Sequence, residues 1–247
     1  MPYAHAIHCE HDPLLMLLSY AIAVLGSLTA LQMALALPPA GWARMRALFW
    51  AGGALGVGGI WAMHFIAMLG CRMPLPVSYD IGITALSAVI AWLSCWAGLA
   101  IAGSRRLSRL RLLPAGLLAG VGVAGMHYTG MAAMRMPATL HYDAGLVILS
   151  VAIAIVASWI ALWLTFHHDG GARMAFGALV MGVAVSGLHY TGMAAASFVP
   201  TPVDAVVPMG LTPPRLGMVI FALTALALLI ALLWSVARSR QRPRRPA

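Results

Sequence analysis

The chain has 247 residues, of which 62% are hydrophobic and only 9% are charged. A soluble domain is about 45–50% apolar and about 25% charged, so this composition excludes an ordinary soluble enzyme, a disordered tail and a disulfide-rich secreted scaffold. The formal net charge of +9 comes from arginines that lie mostly between long apolar segments, so we expect the lipid bilayer, and no nucleic acid, as the partner of this chain.

Seven segments are long and apolar enough to cross a bilayer, which takes about 20 residues as a helix. They contain no Asp, Glu, Lys or Arg. We predict helices because an open strand would leave its backbone groups unpaired in lipid. The predicted fold is therefore all-α, a polytopic membrane bundle over residues 14–237, between an extracytoplasmic segment, 1–13, and a basic cytoplasmic tail, 238–247. The seven predicted transmembrane helices are 14–37, 47–70, 81–103, 113–134, 145–166, 174–198 and 216–237.

The arginines are divided unequally between the two ends of these helices. Twelve of the 15 lie in the first, third and fifth connections or in the C-terminal tail, and three lie at the other end. Basic connections stay in the cytoplasm, so we predict that the N-terminus is outside and the C-terminus is cytoplasmic. The N-terminal segment lacks the basic region of a signal peptide, so we expect the first helix to remain as a permanent span.

The chain also contains an internal repeat with a period of 63 and then 62 residues. In each copy a His lies near the outer end of an even-numbered helix and is followed four residues later by a Met. An Asp precedes each odd-numbered helix of the repeat and is followed seven residues later by a Ser. This pattern predicts three parallel two-helix repeats plus a seventh helix, and parallel repeats surround an axis along the membrane normal. The repeated residues are His64, His127 and His189; Met68, Met131 and Met193; Asp12, Asp80 and Asp143; and Ser19, Ser87 and Ser150.

These residue types are those of a copper site. His and Met four residues apart share one helical face, and imidazole with thioether is a ligand set that suits Cu(I). We therefore predict metal binding by the repeated His and Met residues, with Asp12, Asp80 and Asp143 as acceptors for imidazole N–H groups and Cys71 beside Met68. A purely structural role, in which each His bonds the Asp of the next repeat, is the alternative. The spacing leaves open whether the three His share one ion.

Two further features of the sequence are less decisive. Cys9 and Cys71 are predicted outside the membrane and Cys95 within it, so a Cys9–Cys71 disulfide is compatible with the topology, although no pattern indicates it. Residues 5–12 are rich in His, Cys and Glu, which suits either metal capture or an ordinary solvated terminus. The solvated terminus is the simpler interpretation.

Residues 126–129 read Met-His-Tyr-Thr, and the chain resembles the MHYT family of bacterial integral membrane sensors over nearly its whole length. The first repeat departs as Met-His-Phe-Ile and the third as Leu-His-Tyr-Thr. The resemblance implies copper binding through the repeated His and Met residues, sensing of oxygen, carbon monoxide or nitric oxide, and a place in the bacterial cytoplasmic membrane. Many relatives carry cyclic-di-GMP enzyme domains after the seventh helix. Only ten residues follow residue 237 here, so we expect a stand-alone, non-enzymatic module that signals to a separate cytoplasmic partner.

Two other functions fit the same residues less well. A copper transport or delivery protein needs a polar route across the bilayer, whereas the motif residues cluster near the outer end and mid-span positions offer little beyond Ser and Thr. A membrane metallo-oxidase needs an open metal position, and beyond the Asp residues no acid–base group is apparent.

Overall fold

The computed structural model describes residues 7, 9–103, 109–166, 171–201 and 210–241. It consists of helices joined by short strands. The second span is interrupted by a π-helical segment, Ala54–Trp61, between α2 and α3. The helices are α1 (Pro13–Leu35), α2 (Gly41–Gly53), α3 (Ala62–Leu69), α4 (Ile81–Ala102), α5 (Arg109–Ala132), α6 (Ala144–Phe166), α7 (Gly171–Ala194) and α8 (Pro213–Gln241).

The described residues form seven helices long and apolar enough to span a membrane, which confirms the predicted all-α membrane fold. The predicted boundaries shift in places. The second span begins at Gly41 rather than at residue 47, because the two arginines near its start lie on a helical turn that continues the apolar segment. Predicted ends at Met134 and Phe198 are wrong, since both residues lie in strands after the helix has ended.

Helices α1 to α7, which make up the first six spans, form a closed ring. Each helix that bears a motif His packs between the first helix of its own repeat and the first helix of the next repeat. Helix α3 with its π-helical segment lies between α1 and α4, α5 lies between α4 and α6, and α7 lies between α6 and α1. Helix α8 lies outside the ring against α3 and the π-helical segment. The predicted parallel repeats thus close into a three-unit assembly around an axis.

Glycine permits this close packing. A Cβ on Gly26 would lie 2.3 Å from the Cα of Gly59, and one on Gly120 would lie 2.4 Å from the Cα of Ile155. The first contact joins α1 to the π-helical segment and the second joins α5 to α6. Small residues at such contacts let membrane helices approach closely and gain dispersion energy, which replaces the hydrophobic driving force that is absent in lipid.

Three antiparallel strand pairs lie at one end of the bundle, which we call the strand-capped end. Each pair joins the segment that enters the first helix of a repeat to the segment that leaves its last helix, so backbone groups between the helices are paired. The all-α prediction did not include them. They are β1 (Glu10–His11) with β2 (Cys71–Arg72), β3 (Ser78–Tyr79) with β4 (Met134–Arg135), and β5 (Ala138–Tyr142) with β6 (Ala196–Pro200).

Candidate metal centre

Three buried imidazoles meet on the axis of the ring. The Nδ1 atom of His64 lies 3.0 Å from Nδ1 of His189 and 3.1 Å from Nδ1 of His127. The ring centroids are 4.9–5.3 Å apart, and the ring planes are nearly perpendicular to one another. Each residue is only 1% exposed. The structure therefore brings together the three His residues that the repeat singled out.

The repeat explains why the imidazoles lie at one depth. Each His is followed by five more residues of its helix, before the helix ends at Leu69, Ala132 or Ala194. The three helices run in the same direction, so equal spacing from the end gives an equal distance of about 7–8 Å from the strand-capped end. The spacing along the sequence thus fixes depth, and helix packing fixes the direction in which each ring points.

Glycines of the motif hold the outward edges of the rings. A Cβ on Gly130 would lie 2.4 Å from Nε2 of His64, and a Cβ on Gly192 would lie 2.3 Å from Nε2 of His127. The imidazoles of the first and second repeats therefore each fit against the glycine of the following repeat. Ala67 occupies the matching position of the first repeat. These glycines are close-packing positions, and the group they pack against is the imidazole.

The hydrogen-bonding capacity of the rings is not filled by protein. Among the described residues, no hydrogen-bond partner lies within reach of the Nε2 atoms of His64, His127 and His189. At each Nδ1 a neutral imidazole has either one proton or one lone pair. Nδ1 of His64 faces two other Nδ1 atoms, so a single proton or lone pair cannot serve both contacts with good geometry.

The three nitrogens fit a metal ion. An ion bonded to three imidazole nitrogens at about 2.0–2.1 Å holds them about 3.3–3.6 Å apart. The two shortest Nδ1 separations, 3.0 and 3.1 Å, need to widen by only a few tenths of an ångström. All three ligand atoms lie within 4.8 Å of one another. Nδ1 is therefore the nitrogen that would bind, with the Nε2 proton directed at the neighbouring helix.

The motif methionines lie in the same apolar core as the rings. Met68, Met131 and Met193 are buried to 4% exposure or less and belong to one continuous cluster. Each lies four residues after a motif His, and so one helical turn nearer the strand-capped end on the same face.

The serine of each repeat joins neighbouring repeats. Tyr128, next to His127, lies with its hydroxyl 2.6 Å from the Ser150 hydroxyl of the third repeat. Tyr190, next to His189, lies 3.3 Å from the Ser19 hydroxyl of the first. In the first repeat the matching residue is Phe65, which has no hydroxyl, and the indole N–H of Trp61 donates instead to the hydroxyl of Ser87 at 3.0 Å. These contacts run in one direction around the ring and close it.

The three aspartates do not bond the imidazoles, contrary to our expectation. In the described part of the chain, Asp12 accepts from the N–H of Leu14 and Leu15, and Asp80 and Asp143 accept from Ile83 and Leu146. They act as N-caps, because the first N–H groups of a helix have no partner within it. The proposed structural alternative, an Asp–His bond between repeats, is likewise not formed among these residues.

Two of these aspartates also form ion pairs, Asp12 with Arg72 and Asp80 with Arg135. Backbone hydrogen bonding from Ile83 and the contact with Arg135 lower the pKa of the Asp80 carboxyl below its ordinary value. Both arginines lie eight residues after a motif His, so the spacing along the sequence could have identified them as part of the repeat. In the third repeat Ser197 occupies this position.

Cys71 is not a free thiol, so the prediction that it adds a thiol ligand beside Met68 is wrong. It forms a disulfide with Cys9, with the two Cα atoms 5.3 Å apart. This bond ties the segment before α1 to the segment after α3. The topology allowed this pairing, but β1 and β2 bring the two residues together, since His11 lies opposite Cys71 in the ladder.

Some sequence-based interpretations fall outside the described residues. His5 and His8 of the N-terminal segment and residues 242–247 of the predicted basic tail belong to this group. Of that segment, Ile7 bonds to Phe198 of β6, and His11 packs edge-on against Tyr190 with ring centroids 5.1 Å apart. The described part of the N-terminus therefore lies across the strand-capped end.

Together these features define a membrane protein of three repeated helix pairs that surround a buried triad of histidines. The family model of the MHYT domain, described as the bacterial signalling protein N-terminal repeat, matches residues 58–115 and 120–178. The chain belongs to the MHYT family.

Three curated relatives are longer than this chain. This chain is 40% identical over 238 residues to the bifunctional diguanylate cyclase/cyclic di-GMP phosphodiesterase MucR of Pseudomonas aeruginosa, a match that covers 94% of this chain and 34% of that protein. It is 35% identical to the cyclic di-GMP phosphodiesterase NbdA of the same organism, covering 96% and 31%. The signaling protein YkoW of Bacillus subtilis is 32% identical, covering 78% and 25%. The chain spans about a third of the length of the first two. No solved structure matches it.

Proposed function

We propose that this chain is a membrane sensor module that holds one copper ion between His64, His127 and His189. The observation that carries this proposal is the convergence of three Nδ1 atoms, one from each repeat, on a single buried point. Copper at that point would supply affinity for a diatomic gas such as oxygen, carbon monoxide or nitric oxide. The chain supplies the ligands, excludes water and links the ligands to three separate helix pairs.

The charge of the site favours monovalent copper. The group of potential metal ligands found among the described residues consists of the three neutral imidazoles, with no carboxylate to balance a cation. The cost of burying an ion in a low-dielectric interior rises with the square of its charge, which disfavours Zn²⁺ and Cu²⁺ relative to Cu⁺. Met68, Met131 and Met193 add soft thioether sulfurs, which also select Cu⁺.

The position of α8 suggests how a change at the centre reaches the cytoplasm. Helix α8 packs against the helix that bears His64, with Gly217 near Leu69 and Gly58 near Ala227. A ligand that alters the spacing of the three rings therefore moves the surface on which α8 rests. A π-helical segment such as Ala54–Trp61 is often found at functional sites, and here it begins ten residues before His64.

The proposed output is control of cyclic di-GMP turnover by a cytoplasmic enzyme. MucR and NbdA are named for that activity, and this chain matches about a third of each. The match lies in the membrane module, so the chain is proposed as a non-enzymatic input. We place it in the bacterial cytoplasmic membrane with the strand-capped end outside, since the arginines favour that orientation and the Cys9–Cys71 bond suits an oxidising compartment.

Transport of copper receives less support. The space on the opposite side of the triad from the strand-capped end is lined almost entirely by apolar groups, which makes it a poor route for an ion.

Metal analysis of the purified chain tests the copper site. We expect about one copper per chain in the wild type and none in a variant with His64→Ala, His127→Ala and His189→Ala. His141→Ala is the matched control, because His141 lies in β5 outside the triad, and it should retain the metal. Equal copper in the triple variant and the wild type would refute the site.

A further inference from the structure

A cavity of about 40 Å³ lies on the axis directly beneath the histidine triad. Ile60, Val123 and Val185 line it, and each lies four residues before a motif His. Residues four apart share one helical face, so the three side chains surround the axis one turn farther from the strand-capped end than the imidazoles. Leu188, the residue before His189, also lines the cavity. The three repeats therefore form the cavity as they form the triad.

The walls of the cavity are apolar. Alanines and branched aliphatic side chains make up most of the lining, and the few polar groups belong to Cys95, Ser158 and Thr165. The Thr165 hydroxyl already donates to the carbonyl oxygen of Ala161. A buried water needs about two to four polar partners, so apolar cavities of this kind stay dry and accept apolar guests.

One wall of the cavity reaches the outer surface of the helix ring. Ala157 and Ala161 of α6 and Ala184 of α7 line the cavity and are partly exposed. They lie in the spans that would be surrounded by lipid. The imidazoles themselves are 1% exposed, and the strand pairs lie over their other side. The interface of α6 and α7 is thus a short path from the bilayer to the cavity.

We infer that this cavity is a binding site for a small apolar molecule of diatomic size, such as oxygen, which enters from the lipid between α6 and α7. Its volume exceeds the roughly 10–15 Å³ needed for one water-sized sphere, and apolar gases partition into lipid rather than water. Delivery from the cavity to the triad rests on the proposed gas-responsive copper site. The binding of an apolar guest does not, because no metal takes part in it.

Xenon is the probe for the cavity, since it is apolar, inert and binds such cavities. Metal-free full-length chain in lipid nanodiscs is titrated with xenon and followed by ¹²⁹Xe NMR. We expect a saturable signal in the wild type, its loss in Ala161→Leu, and a stronger signal in Val185→Ala, which enlarges the cavity. Ala152→Leu is the control, because Ala152 lies on the exposed face of α6 outside the lining. Absence of saturable binding in the wild type, or an unchanged signal in Ala161→Leu, overturns the proposal.

The copper-loaded chain gives the second measurement. We expect carbon monoxide to bind several-fold more slowly to Ala161→Leu than to Ala152→Leu, with equal copper content in the two. Equal rates would overturn delivery through the cavity while leaving xenon binding intact. Failure of the wild type to bind copper would instead count against the proposed function, and the xenon titration would still decide whether the cavity binds an apolar guest.

Discussion

The imidazole of His64 occupies a space that exists because residue 130 is glycine. A Cβ at that position would lie 2.4 Å from Nε2 of His64, well inside van der Waals contact. His127 and Gly192 have the same relationship. In the first and second repeats, the motif His and the motif glycine of the following repeat therefore form one packing unit, and the geometry of the triad depends on residues that carry no ligand atom.

Gly130→Ala should displace His64 and lower copper content without removing any proposed ligand. Overpacking of this kind typically costs about 1–3 kcal/mol. The control is Gly125→Ala on the same helix, where a Cβ would meet nothing within 4 Å. We expect that control to keep its copper, and its thermal stability to be equal or higher, since alanine favours a helix over glycine by about 0.5–1 kcal/mol. Full copper in Gly130→Ala would contradict the packing role.

Tyr128→Phe should weaken the contact between the second and third repeats. The change removes the hydroxyl that lies 2.6 Å from that of Ser150 and should lower the free energy of unfolding by about 0.5–1.5 kcal/mol. Tyr190→Phe should cost less, because its hydroxyl lies 3.3 Å from that of Ser19. Thermal unfolding in detergent measures both. A larger loss for Tyr190→Phe would show that these distances do not govern the contacts.

Copper should stabilise the folded chain. A ligand that binds only the native state contributes about 2.7 kcal/mol at a concentration of 100 times its Kd. We therefore expect Cu⁺ under reducing conditions to raise the midpoint of thermal unfolding of the wild type. The shift should disappear in His127→Ala, which removes one Nδ1 from the triad, and persist in His141→Ala. A shift of equal size in both variants would place the metal elsewhere.

Asp80 should make stability sensitive to acid. The pKa of its carboxyl is lowered in the folded chain by the N–H of Ile83 and by Arg135. This contribution is present above the unfolded pKa of about 3.9 and is lost as the pH falls through the lower folded pKa. Asp80→Asn should therefore be less stable than the wild type at pH 7, and the difference should shrink below about pH 4. Unfolding midpoints measured across this range test this, and a difference that does not change with pH would show that the ionised carboxylate of Asp80 does not contribute.

The Cys9–Cys71 bond predicts the pattern of thiol labelling. In unfolded, unreduced protein a maleimide reagent should label Cys95 alone, because the other two cysteines of this chain are paired. After reduction all three should react. Cys71→Ser should expose Cys9 to labelling in the native protein, which mass spectrometry detects. Labelling of all three cysteines before reduction would exclude the disulfide.

Some features of the candidate site could be predicted from the spacing of residues in the sequence, and others could not. The spacing of His64, His127 and His189 correctly indicated equal depth on three parallel helices. It did not indicate that Nδ1 rather than Nε2 faces the axis, since ring direction depends on helix rotation and therefore on contacts such as Gly130 against His64. Asp80 was expected near an imidazole and instead caps α4, because local backbone N–H groups compete for a carboxylate at a helix start.

The sequence by itself determined the membrane environment, the number of spans and the threefold repeat, because burial in lipid demands long apolar helices and because repetition is visible in the order of residues. Tertiary structure alone decided the rest. It closed the ring by placing Tyr190 against Ser19, paired Cys9 with Cys71 through short strands, and left an apolar cavity beneath the triad. These features depend on contacts between segments distant along the chain, and such contacts are set by side-chain packing rather than by local pattern.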